Sequence, residues 1–303
     1  PRPAPPPPRP PASTAGAAPP RLTTPAPPPA GPAPRARDAA PGADYVRFCS
    51  GIHKVTGIDL SQYRPAQMER RLRTFAGRHG AGDLDELLVL VRKDAGVRDK
   101  FLDHMTINVS ELFRNPERFD ELERTFLPGL VRSGPGTLKV WSAGCSYGAE
   151  PYSLAMLALE AAPGRRHEVH ATDIDQTILA RARRARFTDA DVKNVSRARL
   201  AKWMTSEPGE DGTIWTVADQ ARSLVRFRQH NLLTDRYPDG LDLIACRNVV
   251  IYFNEDAKDQ IYRRFLAALR PGGILFVGST ERVNGADAMG WERAGSFFYR
   301  KPA

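Results

Sequence analysis

From about Asp44 to Thr125 the apolar positions recur at helical spacing. Tyr45-Val-Arg-Phe48 with Ile52, Pro65 through Phe75, Leu84 through Val91 and Phe101 through Met105 read as four amphipathic helices. Gly57, the Gly77–Gly82 stretch and Gly96 break them apart. From Thr137 the rhythm changes to short apolar runs alternating with helical segments. Leu138–Ser142, Val169–Asp173, Val225–Gln229, Leu241–Cys246, Gly273–Gly278 and Phe297–Arg300 read as strands. Pro151–Glu160, Gln176–Arg184 and Glu255–Leu269 read as helices. Such alternation predicts an α/β fold with a doubly wound, mostly parallel sheet. Between Phe187 and Arg222 it lapses, around Trp203, Trp215 and the turn Glu207-Pro-Gly-Glu-Asp-Gly212. Pairing Ile214–Val217 with Val225–Gln229 as a hairpin makes this a small β insertion, about residues 187–228. The expected organisation is a tail over 1–42, a helical domain with linker over 43–125, and the α/β domain over 126–303.

Composition sets the tail apart. Residues 1–42 hold 17 of the 27 prolines, five arginines and one acid, with almost no large apolar side chain. Such a segment cannot offset its chain entropy by burial, so a disordered, partly polyproline-II tail is expected. A plain linker is favoured over a ligand for an SH3-like partner. The chain carries a net charge of +9, of which the tail supplies +4 (five Arg less Asp38), leaving +5. That modest excess suits an acidic protein partner as well as nucleic acid. No apolar run is long enough for a membrane span, and no apolar signal core opens the chain. Cys49, Cys145 and Cys246 are dispersed, which points to a reducing cytoplasm. The six histidines lack ligand spacing with cysteines or acids, so no metal is expected.

The candidate chemistry concentrates in Leu138–Met156, which reads as strand, tight turn and helix. Gly144 and Gly148 let backbone approach a ligand, and Pro151 suits a first helical turn. The turn is not G-x-G-x-x-G, and a ligand-free βαβ turn is the plain alternative. Glu150 argues against that alternative and against a dinucleotide, because an acid there repels a pyrophosphate. It suits a cationic ligand such as S-adenosylmethionine, whose amino acid end carries an ammonium beside a sulfonium. Asp173, at the tip of the second strand, is placed to hold ribose hydroxyls. Asn231 and the pair Arg247-Asn248 also follow strands, and ligands of open α/β sheets sit outside those carboxyl ends. Singly, each could be a cap or turn residue; together they converge on one edge. Upstream, Ser110 reads as a helix N-cap and Arg114 as a surface charge when taken alone.

Thr106-Ile-Asn-Val-Ser-Glu-Leu-Phe-Arg-Asn-Pro116, Trp141-Ser-Ala-Gly-Cys-Ser-Tyr-Gly-Ala-Glu-Pro-Tyr152, Ala171-Thr-Asp-Ile-Asp175 and Cys246-Arg-Asn-Val-Val-Ile-Tyr-Phe253 resemble the CheR family. These are chemotaxis receptor methyltransferases, S-adenosylmethionine-dependent protein-glutamate O-methyltransferases. The resemblance runs in order from about residue 44 to 300. It implies a methyltransferase-type sheet behind a small helical domain, with chemoreceptor helices as substrate and S-adenosylhomocysteine as product. It further implies that Asn108, Ser110 and Arg114 close over the cofactor and that Glu150 contacts its amino group or ribose. Gly144 and Asp173 belong to the same cofactor set. Asn231 and Leu232 would flank adenine, with Arg247 and Asn248 behind the methionine end, and Arg114 and Tyr252 beside the transferred methyl. Arg70, Arg71 and Arg73, on one predicted helix, correspond to the family's docking surface for acidic receptor helices; a merely solvated basic face is the competing reading. Ser110 and Leu112 depart mildly from the Thr and Phe of many members, and the tail is no part of the pattern. A cytoplasmic monomer with no nucleic-acid partner is expected. Another methyl acceptor, or a cofactor-binding regulator without turnover, remains an alternative.

Overall fold

The computed structural model describes residues 41–303 apart from 106–109 and 135. The tail expected over 1–42 thus lies almost wholly outside the described residues. The helical part comprises α1 (Ala43–Thr56), α2 (Pro65–Arg78), α3 (Leu84–Lys93) and α4 (Ala95–Met105). Local chemistry sets their ends. Gly57 closes α1 in a left-handed conformation, φ 73°, donating its N–H to the His53 carbonyl. Pro65 occupies the first turn of α2. The Asp83 carboxylate caps α3 by accepting from the Glu86 N–H. Phe48, Ile52, Leu72, Phe75, Leu87 and Phe101 fill a core that belongs to these helices.

Among the described residues ten strands follow: β1 (Lys139–Ala143), β2 (Glu168–Asp173), β3 (Arg186–Thr188), β4 (Met204–Gly209), β5 (Gly212–Val217), β6 (Val225–Gln229), β7 (Leu241–Cys246), β8 (Leu269–Val277), β9 (Glu292–Arg293) and β10 (Phe298–Arg300). Seven of them form one sheet in the order β6-β2-β1-β7-β8-β10-β9. The pairings from β6 across to β8 are parallel, and β10 runs antiparallel to β8 and β9. All six residues of β7 are buried, as a central parallel strand covered on both faces requires. Trp141, Leu154, Met156, Ile244, Phe265 and Phe276 anchor the core of this half. The chain winds outward from β1 through β2 to β6, then returns to β7 and winds the other way. The strand order therefore reverses between β1 and β7, the point at which open α/β sheets form ligand crevices.

The insertion is real, but its expected hairpin partner is wrong. β5 pairs antiparallel with β4 and β3 in a separate three-stranded sheet. Val225–Gln229 is instead the parallel edge strand β6, in register with β2 from Val169↔Val225 to Asp173↔Gln229. Its alternating Val-Arg-Phe-Arg-Gln pattern arises because an edge strand keeps one face wet, which mimics a hairpin arm. The true arm, Met204–Gly209, carries Pro208 and four consecutive exposed residues, so no alternation marks it.

The two parts meet through backbone. The Arg64 N–H donates to the Tyr252 carbonyl at 3.0 Å, and the Asn254 N–H to the Gln62 carbonyl at 2.8 Å. Between them Tyr63 and Phe253 form an antiparallel bridge.

Candidate functional site

A cleft of about 260 Å³ opens at the carboxyl ends of β1, β2 and β7. Gly144, Glu150, Asp173, Asn231, Leu232, Arg247 and Asn248 all line it from the sheet side. Ser110 and Arg114 line it from the segment that precedes the sheet, and Tyr252 from the loop after β7. Every expected cofactor residue is brought together there except Asn108, which lies outside the described residues.

Local backbone explains the convergence. Gly144, at φ 83°, could not carry a side chain, because a Cβ would lie 2.4 Å from Val249 Cγ2. The Gly144 and Cys145 N–H groups both donate to the Thr172 carbonyl at 2.8 Å, which draws the β1 turn against the tip of β2. Asp173 there accepts from the Ser146 N–H at 2.8 Å and the Asp175 N–H at 3.1 Å. It is only 9% exposed, and burial pushes its carboxyl up to about 6 despite those two bonds.

Glu150, also 9% exposed, accepts from Ser142 Oγ at 2.7 Å and faces Arg247 Nη1 at 3.7 Å. Burial raises its pKa, while Arg247 and the Ser142 hydroxyl oppose that shift. Arg247 is itself buried, and burial lowers its pKa; its guanidinium lies over Phe119 and Phe276. Its Nη2 donates to the Arg114 carbonyl at 2.8 Å and to Asn115 Oδ1 at 2.9 Å. Arg247 therefore ties the Arg114 segment to the sheet. That segment is pinned further by Leu112 N–H to the Asp191 carbonyl and Phe113 N–H to Ser153 Oγ, each 2.9 Å. Phe113 and Asn115 adopt positive φ of 52° and 61°. Asn231 braces its own turn, its Oδ1 accepting from Leu233 N–H at 2.9 Å. Tyr252 is half-buried, and burial raises its hydroxyl pKa against the fields of Arg71 and Arg114.

The three arginines of α2 do not behave alike. Arg70 is exposed and makes none of the ion pairs found among the described residues. Arg73 is 47% exposed yet is held by Glu69 at 2.6 Å and Asp44 at 2.9 Å. Arg71 turns inward, donating to the His104 carbonyl, with its Nε buried and unpartnered. Two of the three, Arg70 and Arg73, are thus solvent-facing, and Arg73 is already held by acids of its own chain.

Sequence reasoning missed Glu281. Its buried carboxylate accepts from four backbone N–H groups, those of Gly278, Asn248, Val249 and Val250, at 2.7–2.9 Å. It fixes Asn248 at φ 61° against the cleft. An acid four residues beyond β8 was the available signal, akin to that of Asp173 at the end of β2. Tyr63, Met105 and His230 also line the cleft and were not foreseen. Tyr63 and Met105 come from the helical half, where nothing in the sequence marks proximity to the sheet edge.

Two buried carboxylates at separate stations of one cleft can hold a cationic group and a pair of hydroxyls, and a glycine turn lets backbone approach both. Among the described residues, no group of His, Cys, Asp and Glu could hold a metal ion. No described helix is long and apolar enough to cross a membrane.

Residues 43–106 match the family model described as "CheR methyltransferase, all-alpha domain", and residues 108–294 match "CheR methyltransferase, SAM binding domain". The chain is similar to a chemotaxis protein methyltransferase of Listeria monocytogenes, 38% identical over 258 residues, covering 85% of this chain and 97% of that one. It is also similar to chemotaxis protein methyltransferase 1 of Pseudomonas aeruginosa, 33% identical, covering 81% and 92%. A chemotaxis protein methyltransferase of Escherichia coli is 32% identical, covering 82% and 87%.

Proposed function

The chain belongs to the CheR methyltransferase family, and on that premise we propose that it methylates glutamate side chains of chemoreceptor cytoplasmic helices. The observation that carries this reading is the cleft itself, with two carboxylates in its wall and Arg114 and Tyr252 lining the same space. Its residues fit S-adenosylmethionine: Glu150 answers the ammonium, Asp173 the ribose hydroxyls, Gly144 the close backbone approach, and Asn231 with Leu232 the adenine. Ser110 would close over it, and Arg247 with Asn248 would back the methionine end. When bound, the cofactor supplies an electrophilic methyl group on a sulfonium.

The acceptor carboxylate is ionised near neutral pH, so the chain needs no strong general base. Its task is to position and desolvate that carboxylate. Arg114 presents a forked cation suited to a carboxylate, and Arg247 holds the Arg114 backbone in place. Tyr252 contributes a neutral hydroxyl, which can donate to the acceptor. Arg70 supplies a solvent-facing cation for acidic receptor helices.

The test compares methyl transfer to receptor fragments with S-adenosylhomocysteine affinity. Tyr252→Phe is expected to lower kcat about tenfold or more with cofactor Kd unchanged, the scale of one lost transition-state hydrogen bond. Full turnover in that variant would remove the hydroxyl from catalysis.

A further inference from the structure

Tyr63 lies between the helical and α/β parts. Among the described residues it alone packs against both main hydrophobic cores. Its ring stands 4.8 Å from that of Phe253, tilted by 42°, and its backbone bridges Phe253. The flanking bonds, Arg64 N–H to the Tyr252 carbonyl and Asn254 N–H to the Gln62 carbonyl, lock this strip to the loop that carries Tyr252. Yet Tyr63 also lines the cleft, together with Asp173, Ile174 and Leu232. Burial and the nearby Asp173 carboxylate both raise its hydroxyl pKa, so the phenol is neutral and close to the acid. Met105, at the end of α4, lines the same cleft.

We propose that Tyr63 is a cofactor-contacting residue supplied by the helical domain, and that cofactor occupancy clamps this domain onto the sheet. The inference rests on the cofactor reading above. An aromatic ring in the wall shared with Asp173 and Leu232 gives the nucleoside half of the cofactor a flat apolar surface. Because that ring is seated on Phe253, a ligand that packs on it also stabilises the seam. By linkage, any ligand contact made only when the seam is closed must favour the closed seam by the same free energy. The docking surface on α2, which directly follows Tyr63, would then be oriented best when cofactor is bound.

The experiment is hydrogen exchange on the full chain, with and without S-adenosylhomocysteine, following the amides of Arg64 and Asn254. Both amides donate across the seam. Each is expected to exchange at least threefold more slowly with ligand bound. Calorimetry supplies the second arm: Tyr63→Ala is expected to bind S-adenosylhomocysteine at least tenfold more weakly, and Tyr63→Phe within threefold of wild type. Ligand binding to wild type with unchanged exchange at both amides would overturn the proposal, and so would wild-type affinity in Tyr63→Ala. Should Tyr63→Ala fail to fold, the wild-type exchange decides. Failure of wild type to bind S-adenosylhomocysteine at all would instead overturn the cofactor reading, and this inference with it.

Discussion

Asp173 makes the proposed cofactor site sensitive to pH in a way that can be calculated. Burial moves its carboxyl from an ordinary 3.8 to about 6. Ionising it in the ligand-free fold therefore costs roughly 3 kcal/mol more than in the unfolded chain. The folded value is raised, so this group's favourable contribution is complete below about pH 4 and is lost as pH rises through about 6. A pair of ribose hydroxyls donating to the carboxylate has the opposite effect, because it favours the ionised form. If the ligand binds only that form, the affinity owed to Asp173 falls about tenfold, or about 1.4 kcal/mol, between pH 7.5 and 5. Calorimetry of S-adenosylhomocysteine at those two pH values, in wild type and Asp173→Asn, isolates the term. Asn keeps one acceptor oxygen but turns an amide N–H₂ toward a backbone N–H, so it binds more weakly at pH 7.5. The gap between the two proteins should narrow about tenfold at pH 5. Glu150 and His230 also face the cleft, and they act equally on both proteins. A gap independent of pH would refute the assignment of Asp173 to the ribose.

Two further perturbations probe the surroundings. Glu281→Gln keeps one acceptor oxygen and sets an amide against two of the four backbone donors; after relief of the buried charge, a loss of about 2–4 kcal/mol in urea unfolding is expected. A loss below about 0.5 kcal/mol would show that the carboxylate does not hold the Asn248 loop. Arg70→Glu should raise the Michaelis constant for receptor several-fold with cofactor affinity unchanged, and wild-type turnover at subsaturating receptor should fall as salt rises. Unchanged receptor kinetics in Arg70→Glu would leave that face merely solvated.

Helices and central strands were legible because their apolar periods answer to one environment each. The run Leu241–Cys246, apolar at every position but Asp242, reads as a strand buried on both faces, and it is. Asp173, the last residue of β2, and Glu150, in the first turn of the helix after β1, were legible because the strand end and the glycine turn place them by local geometry. Val225–Gln229 was misread because alternation records which face is wet and not which strand is the neighbour. The inward turn of Arg71 was hidden for a related reason: its partner, the His104 carbonyl, is contributed by backbone 33 residues away. Tyr63 and Glu281 escaped because each acts through a long-range contact, one across the seam to Phe253 and one with the N–H groups around Asn248. A single period carries no trace of such pairings, and for Glu281 only its position just beyond β8 hinted at one.

The most direct test of the central claim is the chemistry of the transferred methyl. The full chain, incubated with methyl-labelled S-adenosylmethionine and a glutamate-rich chemoreceptor cytoplasmic fragment, is expected to label the fragment. Brief mild alkali should then release that label as volatile methanol, the behaviour of a carboxyl ester. Replacing the acceptor glutamates of the fragment with alanine should abolish labelling. Label that is stable to alkali would mean transfer to nitrogen or another acceptor, and would contradict glutamate methylation. No label on any receptor fragment, from protein that binds S-adenosylhomocysteine, would contradict it equally.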